Sequence, residues 1–524
     1  MASIWGYALH GVEAIPVRVE AHVRTGLPGM TIVGLPGAAV KEARERIRSG
    51  AAASRLPLPT RRITVNLSPA DLKKEGPGFD LPVALAVLAG SDYLSPKSVE
   101  RVGAAGEVAL DGQIRPVRGM LSMAECAAGS RVDTLLVPIT ALPEVHTLKS
   151  VTVIGVRSLA EAVAVLKDRR WRDRLQMRGE RWLRSRGTAE AIERVQLPDM
   201  ADVAGHEHGR RALEVSAAGG HHILMVGPPG SGKSMLARRV PSILPGLTEE
   251  ERRVITRIHS AAGLRAAGDL TPLRRPFRAP HHSASRTAIV GGGPVPRPGE
   301  VTLAHLGVLF LDEMVEFSRD VLEALRQPLE DGFVTISRKS GTMEFPARCT
   351  LVAAINPCPC GFSGQTGKRC RCTSTQVTRY HQRISGPVLD RVDLVVRVPA
   401  LEVAMLDRVD QAESSSGVRA RVEAACEYRR IRESLNGDSP DWGGAGETGK
   451  HHPLALQNRY GATSEARALL RKAVARDSLG GRGFVRALRV ARTMADLDAM
   501  DAVESMHVAE ALSFRVGSLP GLAA

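Results

Sequence analysis

The densest chemistry in the sequence lies in HILMVGPPGSGKSMLA, His222 to Ala237: an apolar strand-like run, a glycine loop and the start of a helix. This is the G-x-x-x-x-G-K-[ST] pattern in its required setting. Gly227, Pro228, Pro229, Gly230, Ser231, Gly232, Lys233 and Ser234 make the loop. Its glycines let backbone N–H groups close around phosphate oxygens, Lys233 is spaced to reach the outer phosphates, and Ser234 is spaced to reach a Mg²⁺ ion. Further on, GVLFLDE, Gly307 to Glu313, is a buried-strand run ending in two carboxylates. Asp312 suits a metal and Glu313 suits polarising an attacking water. Alone, such a pair is ordinarily a strand end meeting solvent; beside the glycine loop it points to hydrolysis of ATP with Mg²⁺. A third run, TLVAAIN, Thr350 to Asn356, ends in a polar residue at the edge of the sheet where ligands bind. Asn356 either orients the water beside the γ-phosphate or simply makes the turn before Pro357.

Two further groupings invite chemistry. Cys358, Cys360, Cys370 and Cys372 supply four thiols in a short stretch, enough to close one tetrahedral, purely structural Zn²⁺ site. Their C-x-C pairs are tighter than the usual C-x₂₋₄-C, and reduced cysteines in a basic loop are the alternative. Between Asp312 and Asn356, FVTISRKSGTMEF alternates like two strands about a Lys-Ser-Gly turn, which predicts a hairpin with Arg338 and Lys339 near its tip.

The elements that must position these groups follow from apolar spacing. Residues 1–166 alternate short strands such as Val17–Val23, Ile63–Leu67 and Leu135–Val137 with helices such as Ala38–Ala53, and predict one α/β domain. Residues 167–198 open with nine basic and three acidic residues and lack the apolar spacing of a core, so they read as a basic connector. Trp171 and Trp182 within them suit docking onto a domain better than stacking on bases. Residues 199–400 form the second α/β segment, 401–450 a helical stretch and Gly-rich loop, and 451–524 a small helical domain.

The chain has 524 residues, 43% hydrophobic and 24% charged, which excludes a wholly disordered chain. Lys plus Arg number 71 against 56 Asp plus Glu, a net charge of +15 that favours an anionic partner such as nucleic acid, or leaves merely solvated cations. Aromatics at 3% leave no extended platform for base stacking. The apolar runs fall short of a membrane span and the start lacks signal-peptide features, so a cytoplasmic protein with no membrane partner is expected.

The segments DVAGH from Asp202, GPPGSGKS, HHSAS at His281–Ser285, PRPGEVTLAHLGVLFLDE at Pro296–Glu313, LRQPLEDG at Leu325–Gly332, NPCPCG at Asn356–Gly361 and SGPVLDRVDL at Ser385–Leu394 resemble the magnesium chelatase-like AAA+ ATPases of the ComM/YifB family. The resemblance covers nearly the whole chain. It implies an αβα AAA+ core, a C-terminal helical lid and a homo-oligomer, a hexamer, with ATP between subunits. It also implies that Asn356 is the sensor-1 residue and that Arg391 is an arginine finger entering the neighbour's site, with Arg383 in reserve; the plainer reading of Arg391 is a salt bridge with Asp390 or Asp393. Arg482, in the sensor-2-like segment after Gly480, would touch the γ-phosphate, although family members often carry Ser at that Gly. Arg486, Arg489 and Arg492 are expected on solvated or subunit-facing surfaces.

The first domain resembles the family's ChlI-type domain, similar in fold to the Lon protease domain. Gly78 and Leu121 stand where a Lon-like Ser/Lys dyad would be, and Ser68 with Lys73 or Lys74 is not a dyad by sequence, so peptidase chemistry is not expected. The resemblance implies a DNA motor for branch migration that supports recombination of incoming DNA in natural transformation, alongside recombination proteins. Its contacts, with Arg338 and Lys339 as candidates, would be to single-stranded or branched DNA without sequence preference. The alternatives are a chelatase motor for porphyrin metallation and an ATP-assembled remodelling scaffold.

Overall fold

The computed structural model describes residues 1–186, 197–264, 274–338, 341–363, 369–400, 412–435, 457–475 and 480–515. The first unit is a seven-stranded mixed sheet in the order Gly29–Val33, Arg62–Ser68, Glu13–Arg24, Ala2–His10, Val102–Ala104, Thr134–Pro138, Thr152–Val156. Its middle is a long antiparallel pair, Ala2–His10 against Glu13–Arg24. The helix Asp80–Gly90, apolar on nearly every side, is buried against this pair, as an all-round hydrophobic helix must be. The helix Ala38–Ala53 forms over the span that its apolar spacing predicts.

The basic stretch forms a helix docked on the first unit. Arg169–Arg186 is a helix whose Leu175 is 1% exposed and belongs to the first unit's core. Arg178 makes a two-pronged contact with Glu161 at 2.6 and 2.7 Å, Arg172 donates to Thr134 Oγ1 at 2.6 Å, and Trp182 packs on the apolar cluster around Leu142. Trp171 stays partly exposed with the Arg174 guanidinium over its ring. A few apolar contacts and directed guanidinium bonds therefore dock a helix that lacks a regular apolar stripe.

The second unit is a five-stranded parallel sheet ordered Phe277–Arg278, Val308–Leu311, Thr350–Ile355, Ile223–Val226, Leu394–Arg397. Its three middle strands are buried at every residue, the continuous apolar type of a parallel sheet covered on both faces. One face shares a core with the helices Glu207–Gly219, Ser415–Leu435, Gly481–Leu497 and Ser505–Ser513. The other packs on the apolar side of Glu249–Ala262 and takes in Val12 from the first unit. Glu125, lying 3.6 Å from both Arg253 and Arg257, adds a charged contact between the units. No described helix is long and apolar enough to cross a membrane.

Arg486 and Arg492 correct the expectation of solvated helix surfaces. Each is 5% exposed or less. Arg486 donates to Val392 O, and Arg492 donates to the carbonyls of Tyr460, Asp501 and Met500 while pairing with Asp496. Arg489 is half-buried. The helix Gly481–Leu497 runs through the middle of its helical layer, and burial of these cations is compensated by directed acceptors.

Leu175→Ala is expected to destabilise the first unit by about 2–4 kcal/mol, the usual cost of emptying a buried leucine site, as read by urea unfolding.

Candidate functional site: a phosphate loop at the edge of a parallel sheet

The sheet register brings three distant segments together. Val226 pairs with Ile355, and Leu311 pairs with Ala353. The glycine loop, Asp312 and Asn356 therefore leave the sheet at one edge, the carboxyl end of parallel strands where such folds bind ligands. A cavity of about 440 Å³ there is lined by Pro229 through Met235, Asp312, Glu313 and Asn356.

Within it, Gly230 (φ +75°) and Gly232 (φ +87°) take the left-handed backbone that curls a loop's N–H groups inward. Gly227 has no room for a side chain, since a Cβ there would lie 2.1 Å from Val398 O. The Lys233 ammonium is buried and donates to Gly227 O (2.7 Å), Pro228 O (2.8 Å) and Asn356 Oδ1 (3.2 Å). Burial lowers its pKa, while Asp312 and Glu313 act in the opposite direction. Ser234 Oγ donates to Asp312 Oδ2 at 2.6 Å, and Asp312 Oδ1 accepts from Glu313 N at 3.0 Å. Glu313 has φ +49°, a conformation that non-glycine residues rarely adopt, and its side chain is 58% exposed. Ser231 Oγ is buried with no hydrogen-bond partner, a polar atom that phosphate oxygens would satisfy. This donor set fits a triphosphate with its divalent metal, and Asn356 Oδ1 contacts its lysine.

Two neighbours carried no sequence signal of their own. His206, in a left-handed turn before the helix Glu207–Gly219, brings a buried, unpartnered Nε2 close to Gly232. His282 Nδ1 lies 3.9 Å from Glu313 Oε2. Both sit in the motifs DVAGH and HHSAS, but only folding shows which atoms they approach.

Arg391 and Arg482 lie away from this cavity. Arg391 contacts Glu330 and donates to Arg326 O (3.1 Å) and Pro387 O (2.6 Å). Its partner is thus Glu330 and not Asp390 or Asp393. Arg482 Nη2 lies 3.7 Å from the other Glu330 oxygen, with its side chain 69% exposed. Glu330 belongs to LRQPLEDG, and its position between the two guanidiniums is visible only in the fold. Arg383 pairs with Glu316 at 3.1 Å. Asp393 is buried against His221 and accepts from His222 N, contacts that hold its carboxyl far below the usual range against the cost of burial.

The four cysteine Sγ atoms all lie within 4.8 Å of one another. The hairpin forms as Phe333–Arg338 against Gly341–Pro346 with Arg338 exposed. Lys339 lies outside the described residues. In the first unit, buried Lys74 donates to Pro69 O, exposed Lys73 pairs with Glu75, and Ser68 ends a strand.

A parallel sheet with a phosphate loop, an adjoining Asp-Glu pair and a polar strand end defines the class of P-loop AAA+ ATPases. The family model for magnesium chelatase, subunit ChlI, matches residues 199–406, the model for subunit ChlI of Mg-chelatase matches 19–141, and the model for magnesium chelatase, subunit ChlI C-terminal, matches 412–515. YifB of Escherichia coli is 41% identical over 96% of this chain and 95% of its own length, and competence protein ComM of Haemophilus influenzae is 39% identical over 98% and 97%. Lon protease 2 of Bacillus subtilis is 30% identical over 26% of the chain and 26% of its own. The chain belongs to the ComM/YifB family of magnesium chelatase-like AAA+ ATPases, with the mixed α/β fold and Lon-like kinship expected of it.

Gly227→Ala is expected to weaken binding of a fluorescent ATP analogue at least about tenfold, because the added methyl pushes the loop off Val398 O; unchanged affinity would show that the loop does not grip phosphate.

Proposed function

We propose that the chain is a ring-forming ATPase, a hexamer, that hydrolyses ATP between subunits and drives DNA branch migration. The observation that carries this reading is that the cavity gathers Lys233, Ser234, Asp312, Glu313 and Asn356, whereas Arg391 and Arg482 sit together at Glu330, outside its lining. A lone chain thus presents a loop without its arginines and arginines without a phosphate, a division that a neighbour's copy resolves. Lys233 and the loop N–H groups bind the phosphates, and Ser234 with Asp312 would hold Mg²⁺, which neutralises phosphate charge. Glu313 takes the proton of the water attacking the γ-phosphorus, and Asn356 orients that water. Arg391 and Arg482 act in trans on the developing negative charge.

The DNA reading is supported by the net charge of +15, the exposed Arg338 of the hairpin and kinship to a competence protein. Contacts made through phosphates are sequence-independent and weaken steeply with salt. The four clustered thiols suit a structural Zn²⁺. Recombination proteins are the expected partners, in the cytoplasm.

ATP turnover, measured with and without single-stranded, duplex and four-way-junction DNA, is expected to rise with DNA; turnover indifferent to DNA would return the chain to a chelatase-type or scaffold role. Lys233→Ala is expected to abolish turnover and Arg391→Ala to lower it about a thousandfold. Mixing these two variants should restore part of the activity, since a mixed ring contains intact composite sites. No recovery on mixing would place Arg391 in cis.

A further inference from the structure

The turn that carries the cysteines is built against the nucleotide loop from two sides. Upstream, the strand Thr350–Ile355 delivers Asn356, whose Oδ1 accepts from Lys233 two residues before Cys358. Downstream, Gly361 (φ +83°) lies so tightly over Pro229 that a Cβ there would stand 2.4 Å from Pro229 Cδ. Gly361 N donates to Cys358 O at 2.9 Å and closes the turn. The second cysteine pair runs into the helix Ser374–His381, capped by Thr373 directly after Cys372. That helix returns to the same place: His381 Nε2 lies 3.1 Å from the carbonyl oxygen of Pro357, the residue next to Asn356. The thiols therefore join two segments that both bear on Asn356.

Their geometry is that of a ligand set. Cys358 lies 3.4 Å from Cys360 and 3.7 Å from Cys370, and Cys360 lies 3.6 Å from Cys370, sulfur to sulfur. Zn–S bonds of about 2.3 Å at tetrahedral angles separate sulfurs by about 3.8 Å. Ser363 N donates to Cys358 Sγ at 3.3 Å, an outer donor of the kind that orients metal-bound thiolates.

We propose that Zn²⁺ held by Cys358, Cys360, Cys370 and Cys372 is a clamp on the ATP site. It sets the backbone from which Asn356 meets Lys233 and Gly361 meets Pro229, so that the metal centre and bound nucleotide sense one another. This rests on the ATPase and zinc readings above. Four protein ligands leave the ion no open position, so its role is positioning alone.

The full chain purified without chelator is expected to hold one zinc per chain; a content near zero overturns the site itself. With Co²⁺ in place of zinc, the thiolate–cobalt visible bands report ligand geometry. Saturating ADP is expected to shift them, and Lys233→Ala to abolish the shift. Bands unmoved in protein that binds ADP, as checked by fluorescence titration, would leave the metal a fold staple and sink the clamp alone. Failure to bind ADP at all would sink the ATPase reading and the clamp with it. Cys370→Ser and Cys372→Ser are expected to lower kcat at least about tenfold with a smaller change in KM, and unchanged kcat counts against the clamp. Should either variant fail to fold, the cobalt bands of the unsubstituted chain decide.

Discussion

Parallel pairing of Ile223–Val226 with Thr350–Ile355, and of that strand with Val308–Leu311, is the constraint on which the site depends. Parallel strands need long crossovers, so the groups that converge at their carboxyl ends come from distant parts of the chain. Because side chains alternate along a strand, a slip of one residue would turn Asp312 and Asn356 away from the loop. The register is held by strands buried on both faces, apolar throughout apart from Thr350 at the start of one of them. The chemistry at the edge is thus a consequence of the packing within.

The opposite, amino-terminal end of these strands is wired to the helical layer through buried polar contacts. His222 O accepts from the backbones of Asp393 and Leu394, His222 Nδ1 accepts from Leu351 N, and His221 Nε2 lies 2.8 Å from Thr493 Oγ1 on the helix Gly481–Leu497. Arg486, on the same helix, grips Val392 O. Buried polar groups of this kind contribute little net stability but specify geometry, since each is costly to leave unpaired. The segment bearing Arg391 is therefore fastened to the helix Gly481–Leu497, whose first turn carries Arg482, which accounts for the two arginines lying together at Glu330.

The first unit shares kinship with part of Lon protease 2. Its buried Lys74 donates to the backbone carbonyl of Pro69, and burial lowers the pKa of that ammonium. What the unit contributes to the second is contact: Val12 enters the ATPase core, and Gly119 N donates to Ser260 O at 3.1 Å.

Local patterns carried much of this in the sequence. The loop from Gly227 to Ser234, the strand ends at Asp312 and Asn356, the hairpin around Arg338 and the helix Ala38–Ala53 are legible because glycine placement and apolar periodicity act over a few residues. The family followed from these same linear motifs. Tertiary structure decided what depends on distant partners. It buried Arg486 and Arg492, whose helix reads as exposed until its neighbours are known, and it docked Arg169–Arg186 through Leu175 and Arg178. It gave Arg391 the partner Glu330 instead of its adjacent aspartates, and folded four thiols against the phosphate loop. Charge pairing and burial are set by which surfaces meet, and a linear string encodes that meeting only through the whole of the packed core.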